Sequence, residues 1–272
     1  MRRATILLAA ALALLATACV SDRAEAQALA QRVRAAGDGV VEMRYATRPG
    51  ICGDGRRSIS IGRNSHHGEW NSSDVRDMRT CAPGAHVRMR VAGGAVTELR
   101  LTVGPRPTST VATGERMTDL GEVPSAEAAS YFLSLAGAGG GKGSHGAIMA
   151  AVVADSASVW RRLFAIATDT ARVSGSTRRD AMFWVSRFAA AKATGHGEDI
   201  AAAEDDDRGD RDDTRDAAVF ALSQLRGRQG VEPLIEVARS NKDPQLRQKA
   251  IFWLGQSGDP RAAALFREIL GG

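Results

Sequence analysis

The spacing of apolar residues changes along this chain, and the change divides it. Ile6 to Ala18 is an unbroken uncharged run behind Arg2 and Arg3. From Val40 to Ala46 the period is two, with Val41, Met43 and Tyr45 alternating against Glu42 and Arg44. The same period returns from His86 to Val103. Val87, Met89 and Val91 alternate with Arg88 and Arg90, Gly93-Gly94 interrupts, and Val96, Leu99, Leu101 and Val103 complete the run. Alternation predicts strands, and two alternating runs around a Gly-Gly pair predict a hairpin with its arginines toward solvent. Ile59 and Ile61 predict a third short strand within Ser58–Gly62, and Leu29–Ala36 has helical spacing.

Beyond Pro124 the period becomes helical. Ser125 is a candidate N-cap for a helix running to Leu135, and a glycine-rich joint, Gly137 to Gly146, separates that helix from the rest of the chain. Three stretches then superimpose: Arg178–Arg187, Arg215–Gln224 and Arg247–Gln256. Ala181, Ala218 and Ala250 hold one position, and Phe183, Phe220 and Phe252 another; a fainter copy lies at Ala147–Val153. The aligned alanines are 34, 37 and 32 residues apart, in the range of two-helix repeats. In the last unit Asp243 and Pro244 predict a capped helix start, Gly255 and Gly258 its end, and Asp259-Pro260 the start of the next helix. Such units bury their apolar surface only by stacking.

The segment Asp243-Pro-Gln-Leu-Arg-Gln-Lys-Ala-Ile-Phe-Trp-Leu-Gly-Gln-Ser-Gly-Asp-Pro-Arg-Ala262 resembles a HEAT-like repeat of the phycobilisome-lyase type. The resemblance runs over about residues 146–270. It implies a scaffold that binds a protein or peptide, since most proteins with this repeat do so and a minority assist bilin attachment. Leu29 to Ser125 carries no family signature.

The N-terminal pattern of positive charge, apolar run and small-residue exit describes a secretory signal peptide, too short to span a bilayer. Cleavage before Cys19 would lipidate that residue; the alternative is cleavage after Ala26 or Ala28. Either route leaves Cys52 and Cys81, an even pair expected to form a disulfide in an oxidising compartment. The loop they close, of about 30 residues, corresponds to about 3 kcal/mol in the chain-entropy model. Export conflicts with a chromophore-assisting role, which needs a cytoplasmic client.

The net charge of +5 comes with no basic run or face. From Leu29 to Glu122 there are 14 basic against 10 acidic residues, and from Val123 onward 19 against 19. A nucleic-acid partner is therefore not expected. The acidic run Glu204–Asp213 loosely echoes a calcium loop at Asp205 and Asp207, but Gly209 stands where a third ligand belongs, so a solvated insertion is expected. Gly139–Gly143 is no phosphate loop, because Ala136 replaces the first glycine and Gly143 the Ser/Thr. His66 and His67 with Glu69 offer part of a metal site or catalytic loop, and Trp70 a surface contact; Trp160, Trp184 and Trp253 read as core.

The expected architecture is α+β with two domains. Residues 1–28 form the signal, 29–121 a small disulfide-linked β-rich domain, 122–145 a helix and joint, and 146–272 a short α-α solenoid interrupted by an acidic insertion at 198–213. The expected function is an exported, non-catalytic protein-interaction scaffold of the cell envelope, without catalytic, cofactor or metal residues. Its partner would be a protein or peptide, and membrane contact would come only through a lipid at Cys19. The alternative is an envelope enzyme or metal-dependent binder using the His66/His67 loop.

Overall fold

The computed structural model describes residues 26–56, 58–62, 65–67, 82–107, 115–138, 146–155, 157–205 and 213–271. A first helix, α1, covers 26–35. Among the described residues seven strands come next: β1 Gly39–Tyr45, β2 Ile51–Gly53, β3 Ile59–Ile61, β4 Ser65–His67, β5 Ala85–Ala92, β6 Ala95–Val103 and β7 Met117–Glu122. The rest is helical: α2 Ser125–Gly137, α3 Ala147–Val152, α4 Trp160–Thr168, α5 Gly175–Ala193, α6 Ile200–Asp205, α7 Asp213–Ser223, α8 Val231–Ser240, α9 Pro244–Ser257 and α10 Pro260–Gly271.

Four strands form the main sheet in the order β6-β5-β1-β7, antiparallel except for the parallel β1–β7 pair. The hairpin expected around Gly93-Gly94 is present. Ala92 pairs with Ala95, and both glycines have positive φ (59° and 73°), the conformation a two-residue hairpin turn of this hand requires. β7 lies at one edge of the sheet, and every one of its positions is exposed or half-buried. The small sheet β2-β3-β4 is antiparallel throughout. Alternation decides which face of the main sheet is inner. Val41, Met43, Tyr45, Val87, Met89 and Val91 are buried, while Glu42, Arg44, His86, Arg88 and Arg90 face outward.

The inner face does not make a separate core. Phe132 of α2 is fully buried and lies 5.9 Å from the Tyr45 ring. The Tyr45 hydroxyl donates to the Ala150 carbonyl of α3 at 2.7 Å, in a setting whose burial raises its pKa well above 10.0. Thr47 bridges to Ala154, and Arg48 donates to the carbonyls of Val152 and Ala157 while its guanidinium lies 5.4 Å from the Phe188 ring centre of α5. Burial lowers the pKa of Arg48, and Glu198, Asp155 and Asp199 offset part of that. Sheet and helices thus share one apolar cluster, from Leu29 to Leu270. The backbone bridges and the arginine leave no apolar gap at the expected boundary. Glycine-rich residues 139–145 lie outside the described residues. Ser125 does not cap α2; its hydroxyl donates to the Ala46 carbonyl instead.

The last unit forms as its sequence dictates. Asp243 accepts from the Gln245 N–H at 2.9 Å, Pro244 starts α9, and Gly258 ends it at φ 62°. The repeat units do not stack in chain order. α9 packs directly on α5, and also against α7, α8 and α10, so the final hairpin sits between α5 and the α7–α8 unit. Close approach explains this. Ser186 of α5 and Gly255 of α9 occupy the same motif position, and a Cβ at 255 would lie 2.6 Å from Ser186 Cβ and Oγ. α10 is packed along one face: Ala262, Leu265, Phe266 and Leu270 are buried, and Lys192 of α5 donates to the Leu270 carbonyl at 3.1 Å.

Candidate functional site

The repeated residues have distinct jobs. Ala181 and Ala250 are fully buried, which lets α5 and α9 approach their neighbours. Two of the repeated arginines clasp backbone. Arg178 donates to the Val173 carbonyl at 2.7 Å, and Arg247 to the carbonyls of Asn241 at 2.8 Å and Ala193 at 3.1 Å, the last on the end of α5. Each clasp satisfies carbonyls that a chain entering or leaving a helix exposes.

The repeated aromatics form a row. Phe183 of α5 meets Phe252 of α9 edge-on, with ring centres 6.5 Å apart. Phe252 contacts Trp253 at 5.1 Å, and Trp253 contacts Phe220 of α7 at 5.2 Å. Trp160 and Trp184 are core as expected, whereas Trp253 is only partly covered. At the α7 end the row opens to solvent: Phe220 is 48% exposed and Leu225 46%. Ala218, aligned with Ala181 and Ala250, is exposed as well. α7 lies outside the α5–α9 pair, and among the described residues its Ala218 face is left exposed. Beside Trp253 a cavity of about 220 Å³ is lined by Leu222, Leu225, Leu234 and Gln256. Its rim is the turn of Gly227 and Arg228, both at positive φ (65° and 62°). A non-glycine residue held there is strained, and the turn keeps it because Arg228 pairs with Asp259 at 3.7 Å while Arg261 donates to its carbonyl.

A family model for HEAT repeats matches residues 200–272. This segment is HEAT repeat. The match covers α6 to α10, and so includes Phe220, Leu225 and Trp253 of the open end of the row. No curated protein and no solved structure matches the chain.

The remaining residues singled out in the sequence fall elsewhere. Cys52 sits in β2; Cys81 lies outside the described residues, as do Cys19, Glu69, Trp70 and the acidic positions 206–212. Ala82, next to Cys81, bridges to Gly53, next to Cys52, through two backbone hydrogen bonds of 3.0 and 3.1 Å. His66 and His67 lie in β4, their backbones paired with Ser60 and Ile59. Among the described residues no cluster of three or more His, Cys, Asp or Glu is placed to hold a metal ion.

The strand arginines, expected simply to point into solvent, are instead gathered around a hollow. The outer face of the main sheet carries a cleft of about 470 Å³. Its floor is the cross-strand row Asp119, Glu42, Arg88 and Arg100, one residue from each of β7, β1, β5 and β6. Loop residues Asp54–Arg56 wall one side and Pro105–Pro107 another. Arg88 grips Glu42 through Nε at 2.7 Å and Nη2 at 2.6 Å, and Arg44 and Arg106 both reach Asp119 at 3.1 Å. The Gly121 N–H, and then those arginines, hold the Asp119 carboxyl below its ordinary pKa. His86 donates from Nε2 to the Gly104 carbonyl at 3.0 Å, and burial lowers its pKa. The signal that could have exposed this cleft was the register placing Arg88 opposite Arg100, which a strand-by-strand reading does not supply.

Proposed function

We propose that this protein is an exported, non-catalytic scaffold that binds a protein partner through its HEAT repeats. HEAT repeats mediate protein interactions in general, and the observation that carries the reading here is the aromatic row ending at exposed Phe220 and Leu225. Exposed aromatics beside a small cavity are typical anchors for a partner's apolar side chain. Export rests on the charged, apolar and small-residue order of the N-terminus. Helix α1 supports cleavage before Cys19, because cutting after Ala26 or Ala28 would remove part of a helix in which Ala26 is buried. Cys19 would then carry the lipid anchor. The Gly53–Ala82 bridge supports a Cys52–Cys81 disulfide, since it sets the neighbours of both cysteines side by side.

A photo-cross-linking residue at position 225 of the full chain tests the binding surface, with position 264 on the exposed side of α10 as control. The expected result is a discrete adduct with a second protein at 225, absent at 264 and lost with Phe220→Ser. Equal labelling at both positions, or no adduct at 225, would overturn the assignment. The mass of the mature N-terminus tests lipidation of Cys19, and non-reducing mass spectrometry tests the disulfide.

A further inference from the structure

We propose that the outer face of the β6-β5-β1-β7 sheet binds a doubly charged oxyanion, a phosphate monoester or dicarboxylate, seated on Arg88 and Arg100. The site is separate from the repeat surface and stands on its own geometry.

Charge points to an anion. Five arginines and three carboxylates line the cleft, a surplus of two positive charges. Glu42 is taken by Arg88 and Asp119 by Arg44 and Arg106, while Asp54 accepts from the backbone N–H groups of Arg56 and Ser58. Among the described residues neither Arg56 nor Arg100 has a carboxylate partner. These two are the surplus, and they flank the cavity.

Register points the same way. Arg88 and Arg100 are direct cross-strand partners, like charges side by side of which Glu42 offsets only Arg88. An anion bridging the two guanidiniums would relieve that repulsion, and the planar fork of donors on arginine matches oxyanions in pairs of hydrogen bonds. The Glu42 grip fixes Arg88 before any ligand arrives, which reduces the ordering that binding demands.

The walls are rigid. A Cβ on Gly53 would lie 2.3 Å from the Val103 carbonyl oxygen, one on Gly55 2.3 Å from that of Pro105, and one on Gly104 2.2 Å from that of Gly53. The Gly55 N–H also donates to the Val103 carbonyl at 2.8 Å. Backbone therefore packs on backbone between the 54–56 loop and the end of β6, so the cleft has a fixed width. At about 470 Å³ it suits a small molecule. A smaller hollow of about 170 Å³ also lies over Arg88 and Arg100.

Isothermal titration of the full mature protein at fixed ionic strength, with inorganic phosphate in one arm and succinate in the other, tests the proposal. At least one probe should bind saturably; phosphate preference assigns a phosphate-bearing ligand, and succinate preference a dicarboxylate. Arg100→Gln and Arg56→Gln, both at exposed side chains, should each weaken the preferred probe about tenfold or more while circular dichroism stays unchanged. Arg226→Gln, on the exposed turn before α8, should leave it as in the parent. If neither probe binds saturably, or if Arg100→Gln binds as tightly as the parent, the site is not an oxyanion site.

Discussion

Gly255 shows how one missing side chain decides which helices meet. Its Cα faces Ser186 across the α5–α9 crossing, where even a methyl group would need Ser186 to move. Gly255→Val should destabilise the protein by about 1–3 kcal/mol, the usual range for overpacking, measured by urea unfolding. Ser186→Gly in the same chain should recover part of the loss, because the two positions share one contact. Asp259 acts through charge instead. Its buried carboxylate is held below its ordinary pKa of 3.8 chiefly by hydrogen bonds from the Arg261 guanidinium, with the Arg261 N–H and Arg228 adding to it. A carboxyl whose pKa is depressed on folding stabilises the native state above the unfolded value and loses that contribution as pH falls through the folded one. Asp259→Asn should therefore be less stable than the parent at pH 6, and the gap should narrow as pH drops below 3.8. A gap that stayed constant with pH would show that the carboxylate charge is not what matters.

At the scale of elements, identical motifs meet different surroundings. Phe220 and Phe252 align in sequence, yet Phe220 stands at the open end of the row and Phe252 inside it. Phe220→Ser should change stability by no more than about 0.5 kcal/mol, as surface replacements do. Phe266→Ala, at a side chain with no exposure, should cost about 3–5 kcal/mol. Thermal or chemical unfolding of the two variants side by side checks both. The strands β1, β5 and β6 were legible because one face is buried and the other wet, and α9 because Asp243, Pro244 and Gly258 mark its ends. β7 was not, since Met117-Thr-Asp-Leu-Gly-Glu122 has no consistently buried face. Nor was the packing order of the repeats, because each of the three clear copies offers a small residue at the crossing position: Ser186, Ser223 or Gly255. The cleft was hidden for a related reason. Arg88 and Arg100 are twelve residues apart and become neighbours only once the hairpin fixes its register.

For the whole molecule, the decisive fact is the join between sheet and helices. Tyr45, Thr47 and Arg48 carry polar bonds across it, and the apolar cluster runs through without a break. The chain should consequently unfold in one cooperative transition, with calorimetric and van't Hoff enthalpies in agreement. Two separable transitions, one for the sheet and one for the repeats, would contradict a shared core. Sequence patterning suggested two domains because its period changes near residue 124, but periodicity reports which face of an element is covered and not what covers it.

The Tyr45–Ala150 bond and its neighbours also make the two halves thermodynamic partners. A ligand that binds only the native form stabilises everything that unfolds with its site, by about 2.7 kcal/mol at a hundredfold excess over Kd. Occupancy of the sheet would thus slow amide exchange in the centre of α9, and a partner on the repeats would do the same for β5. Binding at either half would then be readable as slowed exchange in the other, without direct contact between the two sites.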